Sequence, residues 1–271
     1  MRVVQIGQWI RAIWLVSLSV MVMRMTLTVR AFTLVDADTL FAAHTKSFYR
    51  VTNGFAFYLK STNGNKLAGF WTEAEQPVLD TYERTINAPQ LVMFTNLFRC
   101  FLAANGTTWE HNPNNDDIMW MLIALTRGHM LTGDPEFIIV AQTKFHHFYG
   151  RAASNTLRGG LWWKLEIRLK NPRMNGTGSI AAFLLGKSTG EVGHFTIATN
   201  LFLRECTILF DQKTGRVCDS IHENGRVARF ALRYNQGTFV GAANFLGYTN
   251  EARLAALYIK NSLTKNQPEK T

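Results

Sequence analysis

Two carboxylates stand side by side at Asp116-Asp117, inside the stretch NNDDIMW at 114–120. The run that follows, IMWMLIALTRGHML at 118–131, is apolar at almost every position and is interrupted by Arg127 and His129. That pattern describes a buried helix with acids at its N-terminus. Such acids have two ordinary uses. One is capping, in which Asn115 or Asp116 accepts a backbone N–H and contributes about 1 kcal/mol. The other is acid/base chemistry. Neighbouring carboxyls resist joint ionisation, so the pair splits into a proton-bearing acid and an anion. The helix N-terminus favours the anion, assigned to Asp116, while burial beside Met119 and Trp120 favours a protonated Asp117. A metal-dependent prenyl-transfer reading also starts from an Asp pair, but it needs further acids at helical spacing to hold Mg²⁺. Positions 120 and 121 are Trp and Met, and that reading fails.

Other chemistry-bearing side chains cluster between the apolar runs, in FWTEAE (70–75), GGLWWK (159–164), KNPRMNG (170–176) and RYNQG (233–237). Flat rings stack on the apolar faces of pyranose sugars, and amides and carboxylates take the hydroxyls. Trp, Tyr, Asn, Gln and Asp converging on one mouth would therefore describe a sugar site. Trp162-Trp163 follow Gly159-Gly160, so at least one of the two indoles should face outward. No metal or cofactor is expected, because no Cys-x-x-Cys or His-Glu-x-x-His spacing is present. His146-His147 are adjacent and would point about 100° apart on a helix. Both read as structural.

The elements that must position these residues are helical. Past residue 33, apolar residues recur at three- and four-residue spacing and period-two alternation is rare, which gives an all-α chain. A corner also recurs. It reads Thr132-Gly133-Asp134-Pro135, then AAFLLGKSTGE at 181–191, then GAANFLGYTNE at 241–251, with a looser version in LDTYERTIN at 79–87. Gly or Asn tolerates the left-handed turn at a helix C-terminus, and an acid or Pro suits the next start. Helical hairpins repeating about every 50–60 residues imply an array whose members bury one another's apolar faces. The glycine-rich loops favour a closed toroid over an open solenoid. In a toroid the inner helices point the same way, so loops on one rim meet at a single mouth.

The chain has 271 residues, 47% of them apolar and 18% charged, with a net charge of +10. Its Lys and Arg are dispersed, and no recognition motif is visible, so nucleic acid is not an expected partner. Cys206 and Cys218 could pair and leave Cys100 over, or all three could be buried thiols. An apolar run, AIWLVSLSVMVM at 12–23, lies between Arg11 and Arg24. It is too short to span a bilayer but suits a secretory signal, so residues 1–33 are read as signal-like and 34–271 as the toroid domain. Two sequons, at Asn105 and Asn175, agree with a secreted or cell-surface glycoprotein.

Taken in order, FWTEAE, NDDIMW, LTGDPEF, GGLWW, KNPRMNG and RYNQG resemble glycoside hydrolase family 76, the α-1,6-mannanases and their fungal cell-wall relatives. The resemblance runs from about residue 40 to the end. It implies an (α/α)6 toroid acting on α-1,6-linked mannan with retention of configuration. It further implies Asp116 as nucleophile and Asp117 as general acid/base. Asp219 falls where the family places a further sugar-contacting acid. Trp71, Trp162, Trp163, Tyr234, Asn235 and Gln236 fall in the matching cleft motifs as substrate-binding residues.

Two departures stand out. Nine or ten helices are expected after residue 33, whereas six hairpins need twelve, so the toroid is expected to be incomplete at the C-terminus. The segment KLEIRLKN at 164–171 carries alternating charge where a neutral loop is expected. Two kinds of function follow. One is an endo-acting mannan hydrolase, or a transglycosidase that passes the sugar to another sugar. The other is a catalytically weak carbohydrate-binding relative.

Overall fold

A computed structural model describes residues 33–70, 83, 86 and 88–264. The signal-like segment (Thr33 apart), Trp71 and the Thr85 corner lie outside the described residues. The chain divides into two units, Met1–Lys46 and Ser47–Thr271. In the first, helix α1 (Leu34–Phe48) begins at a reciprocal cap. The Thr33 backbone N–H donates to Asp36 Oδ2 at 2.8 Å, and the Asp36 N–H donates back to Thr33 Oγ1 at 3.2 Å.

The second unit opens with an antiparallel hairpin, β1 (Tyr49–Thr52) and β2 (Phe55–Tyr58), in the register Tyr49↔Tyr58. Its turn is Asn53-Gly54 with φ of 53° and 81°, the left-handed pair that a two-residue hairpin requires. Helix α2 (Ala88–Asn105) follows, then three helical hairpins: α3 (Asn115–Thr132) with α4 (Pro135–Ala152), α5 (Pro172–Thr189) with α6 (Val192–Ile208), and α7 (Arg233–Phe245) with α8 (Thr249–Tyr258). Between them lie short strands, β3 (Leu169–Lys170), β4 (Phe210–Asp211), β5 (Arg216–Val217), β6 (Ser220–His222) and β7 (Val227–Ala228). They form a β3-β6-β7 sheet and a β4-β5 ribbon.

The repeated corner has a physical basis in the structure. Gly133 and Gly190 close α3 and α5 in the left-handed region, at φ of 74° and 77°. At each corner the preceding threonine accepts from the next helix's first residues: Asp134 N–H donates to Thr132 Oγ1, and Glu191 N–H donates to Thr189 Oγ1. The same hydroxyls donate back to Gly128 and Leu185 carbonyls at 2.8 Å. Gly247, at φ 80°, makes the third turn.

The helices form two layers, as an α/α toroid requires. Helix α5 is buried along nearly its whole length and packs on α3 to one side and α7 to the other. Outer helix α4 buries one stripe, Phe137, Ala141, Phe145, Phe148 and Ala152, at helical spacing. Phe94 and Phe98 of α2 meet Phe137 edge-on at 5.2 and 5.5 Å between ring centroids.

Several expectations need correction. Eight α-helices occur among the described residues. Chain expected to be helical folds into the β1–β2 hairpin and the short strands. All three cysteines are free thiols, so Cys206 and Cys218 do not pair. The sequon at Asn175 is fully buried in α5: its amide donates to the Leu161 and Asn171 carbonyls and its Oδ1 accepts from Leu161 N–H. That asparagine cannot carry a glycan in the folded chain. No described helix is long and apolar enough to cross a membrane.

Candidate active site

Helices α3, α5 and α7 start at the same rim, and their first turns surround one cavity of about 620 Å³. Asn114, Asp116, Asp117 and Trp120 reach it from the start of α3, Arg173 from α5, and Tyr234, Gly237 and Thr238 from α7. Trp163 closes the wall from the loop that precedes α5. The two adjacent aspartates thus share one open site.

The start of α3 is built to hold them. Asn114 is the N-cap in extended geometry, but its side chain caps nothing. Its amide donates instead to Asp117 Oδ2 at 3.2 Å, and Asn112 donates to the same oxygen at 3.3 Å. Asn115 is taken up by packing. Its amide donates to the Trp162 carbonyl, and its Oδ1 accepts two bonds from the Arg151 guanidinium. Of the two residues expected to cap, Asn115 therefore does not; the N-cap position belongs to Asn114, whose amide is spent on Asp117.

Asp116 is buried, with Arg173 Nε 2.5 Å from its Oδ2. Its Oδ1 is buried without a hydrogen-bond partner. Burial pushes the Asp116 carboxyl up to about 6, against the pull of Arg173 and with a further upward push from Asp117. Burial also raises Asp117, opposed by the amides of Asn112 and Asn114 and by Arg173. The helix N-terminus, expected to favour the anion at Asp116, is thus not the leading influence there. Desolvation dominates at both carboxyls, and the Arg173 cation is what favours the anion at Asp116. The two protons belong to a coupled pair.

Arg173 went unremarked as a functional residue in the sequence. A signal was present: a cation in the first turn of a helix opposes the dipole and needs an anionic partner. Its guanidinium lies 5.1 Å from the Trp163 ring centroid and 5.2 Å from that of Tyr234. These contacts hold two rings along the cavity wall that also carries the carboxylate pair.

Trp163 is placed by an unusual loop. Leu157, Arg158, Gly159 and Gly160 all have positive φ, at 52°, 62°, 85° and 89°. The buried Lys170 amine holds this loop by donating to the carbonyls of Ser154, Thr156 and Gly159 at 3.1, 2.8 and 2.7 Å. Burial, then repulsion from Arg204, pushes that amine down to about 8. At Gly160 a Cβ would fall 2.6 Å from Asn175 Oδ1, so only glycine lets the loop approach α5. Lys170, near the end of the charged segment KLEIRLKN, is thus the internal post of this loop.

The remaining predicted site residues separate. Trp163 and Tyr234 line the cavity. Trp162 does not; its indole is buried over the Lys170 amine, 4.6 Å from the ring centroid. Gln236 is fully buried, and its amide binds the Val217 N–H and the Gly215 and Ala255 carbonyls. That side chain ties α7 to β5 and α8 and is not available to a sugar. Asn235 is also buried and donates to Asp219 Oδ1 at 2.8 Å. Asp219, half-buried, additionally accepts from Ser220 Oγ, and it is not among the cavity-lining residues.

Residues 44–256 match the model of glycosyl hydrolase family 76. No curated protein matches the chain. The α-1,6-mannanase of Salegentibacter sp. superposes with a TM-score of 0.74 at 28% identity, over 82% of this chain and 69% of that one. An inactive variant of that enzyme, with two consecutive aspartates replaced by alanine, holds α-1,6-mannotetrose; it matches at 27% identity and TM-score 0.74, over 82% of this chain and 68% of that one. A protein of Listeria innocua shares the fold at 22% identity and TM-score 0.74, over 85% of this chain and 71% of that one. With most of the chain matched and a helical-hairpin fold built around paired carboxyls, this chain belongs to glycosyl hydrolase family 76 and is a glycoside hydrolase.

Proposed function

We propose that the chain is a retaining, endo-acting α-1,6-mannan hydrolase in which Asp116 is the nucleophile and Asp117 the general acid/base. The observation that carries this reading is the sharing of one sugar-sized cavity by both carboxyls, with Arg173 beside Asp116 and amide donors on Asp117. Asp116 would attack the anomeric carbon as Asp117 gives its proton to the departing glycosidic oxygen. Water, deprotonated by Asp117, would then cleave the glycosyl ester, and two inversions return the original configuration. Trp163 and Tyr234 supply stacking faces for mannose rings. The solved relative's loss of activity with its own aspartate pair, and its bound α-1,6-mannotetrose, support the assignment by similarity.

Incubation with linear α-1,6-mannan tests this reading. Release of internal fragments is expected; sugar binding without cleavage would instead indicate a carbohydrate-binding relative. We also place the protein at the cell surface or outside the cell, from the apolar run flanked by Arg11 and Arg24. Expression with a C-terminal reporter and fractionation checks this, and retention in the cytoplasm overturns it.

The pH profile offers a separate check. Attack requires ionised Asp116, so kcat/KM is expected to fall as pH drops through about 6. Arg173→Met removes the pull that favours the anion. The acid limb should then move upward by about 1–3 pH units, so that the loss of rate is greater at pH 6 than at pH 8. An unmoved limb would show that Arg173 does not control the Asp116 charge.

A further inference from the structure

We propose that His146, Glu191 and His194 form a binding site for a divalent transition-metal ion of the zinc class. Adjacent His146-His147 cannot chelate together, but the fold supplies His146 with partners from another hairpin. His146 projects from α4, Glu191 is the N-cap of α6 and His194 lies in its first turn. Their ligand atoms all lie within 4.8 Å of one another.

The independent observation is His194. It is 1% exposed, and neither ring nitrogen has a hydrogen-bond partner. A buried imidazole in that condition lacks the compensation that buried polar groups normally find, and a bound cation would provide it. Its Nδ1 lies 3.6 Å from Glu191 Oε2, and its ring is tilted against that of His146 with centroids 5.3 Å apart.

Glu191 behaves as a ligand would. It occupies the N-cap position yet makes no side-chain cap. Its carboxylate accepts from the Gln142 amide, one turn before His146 on α4, and otherwise faces His194. An outer amide holding a ligating carboxylate is a common way to orient it. Two imidazoles and one carboxylate suit Zn²⁺, with a fourth position for water, and do not suit Mg²⁺ or Ca²⁺, which take oxygen donors. Tetrahedral bonds of zinc length separate donors by about 3.3 Å. The Glu191–His194 pair is already near that value, and exposed His146 can rotate to close the rest. None of the three lines the catalytic cavity. The ion would clip the α3–α4 hairpin to the α5–α6 hairpin.

The test is calorimetric titration of ZnCl₂ into the untagged, chelator-treated full chain, with MgCl₂ as the comparison and thermal melts in parallel. One zinc per chain is expected, with a Kd in the micromolar range or tighter and a Tm that rises with zinc but not magnesium. His146→Ala and Glu191→Ala alter exposed positions, so their metal-free melts should match the parent, and each should weaken zinc at least tenfold. Failure to saturate at one equivalent, or equal affinity in the parent and both variants, overturns the site. The latter result would assign the zinc to other histidines such as His147.

Discussion

Replacing Asp116 or Asp117 singly with Asn is expected to lower turnover of linear α-1,6-mannan by at least about 10³-fold, with an unchanged far-UV circular dichroism spectrum. The fold should survive because Asn matches Asp in size and can still hydrogen-bond to the same partners. Asp116 meets the partly exposed Arg173, and Asp117 accepts from two asparagine amides. The two variants should differ in kind. On a mannoside with a good leaving group, Asp117→Asn can still form the glycosyl ester, which added azide then cleaves. Asp116→Asn has no nucleophile, so any product it forms with azide should be the β-glycosyl azide of a single inversion, whereas Asp117→Asn should give the α. Stability should move the other way. Because burial holds the Asp116 carboxyl at about 6, above its ordinary 3.8, ionisation at neutral pH works against folding. The sign is that of a raised carboxylate: the cost is absent below about pH 4 and complete above about pH 6. Asp116→Asn should therefore be more stable than the parent at pH 7, on the order of 1–3 kcal/mol. The difference should vanish near pH 4.

Lys170→Met is expected to give a large loss of stability through a residue that touches no substrate. The variant keeps the length of the side chain but leaves three carbonyls, of Ser154, Thr156 and Gly159, without their shared donor. It also releases Leu157 and Arg158 from left-handed geometry that L side chains adopt only under constraint. Together these should cost roughly 3 kcal/mol, or roughly 6–12 °C in Tm. The loop carries Trp163, so KM should rise as well. A melting temperature within a degree of the parent's would show that the loop holds its shape without the amine.

The parts of this molecule that could be read from the sequence are those set by local chemistry. The Thr-Gly corners at 132 and 189 were legible because a left-handed residue and a hydroxyl at fixed spacing stop one helix and start the next. The Asp pair was legible because carboxylates before a fourteen-residue apolar run need a reason (IMWMLIALTRGHML). The strands of two to four residues were not, since period-two alternation cannot show over so short a span. Asn53-Gly54 was a readable hairpin signal that the helical pattern obscured. Long-range pairing was the other blind spot. Trp162 and Trp163 are neighbours in one motif, yet one indole packs over buried Lys170 and the other lines the cavity. Gln236 looked like a sugar-binding amide, and only the packing of α7 against β5 and α8 shows its bonds to backbone. His146 acquires Glu191 and His194 as neighbours through tertiary contact alone.

In the proposed reaction, neighbouring carboxyls on α3 cleave an α-1,6-mannosidic bond by double displacement. The stereochemistry is read by proton NMR of the products released from linear α-1,6-mannan in the first minutes. The expected result is internal cleavage, with new reducing ends appearing first as the α anomer and mutarotating afterwards. First appearance of the β anomer, or mannan that binds and stays intact, would contradict it.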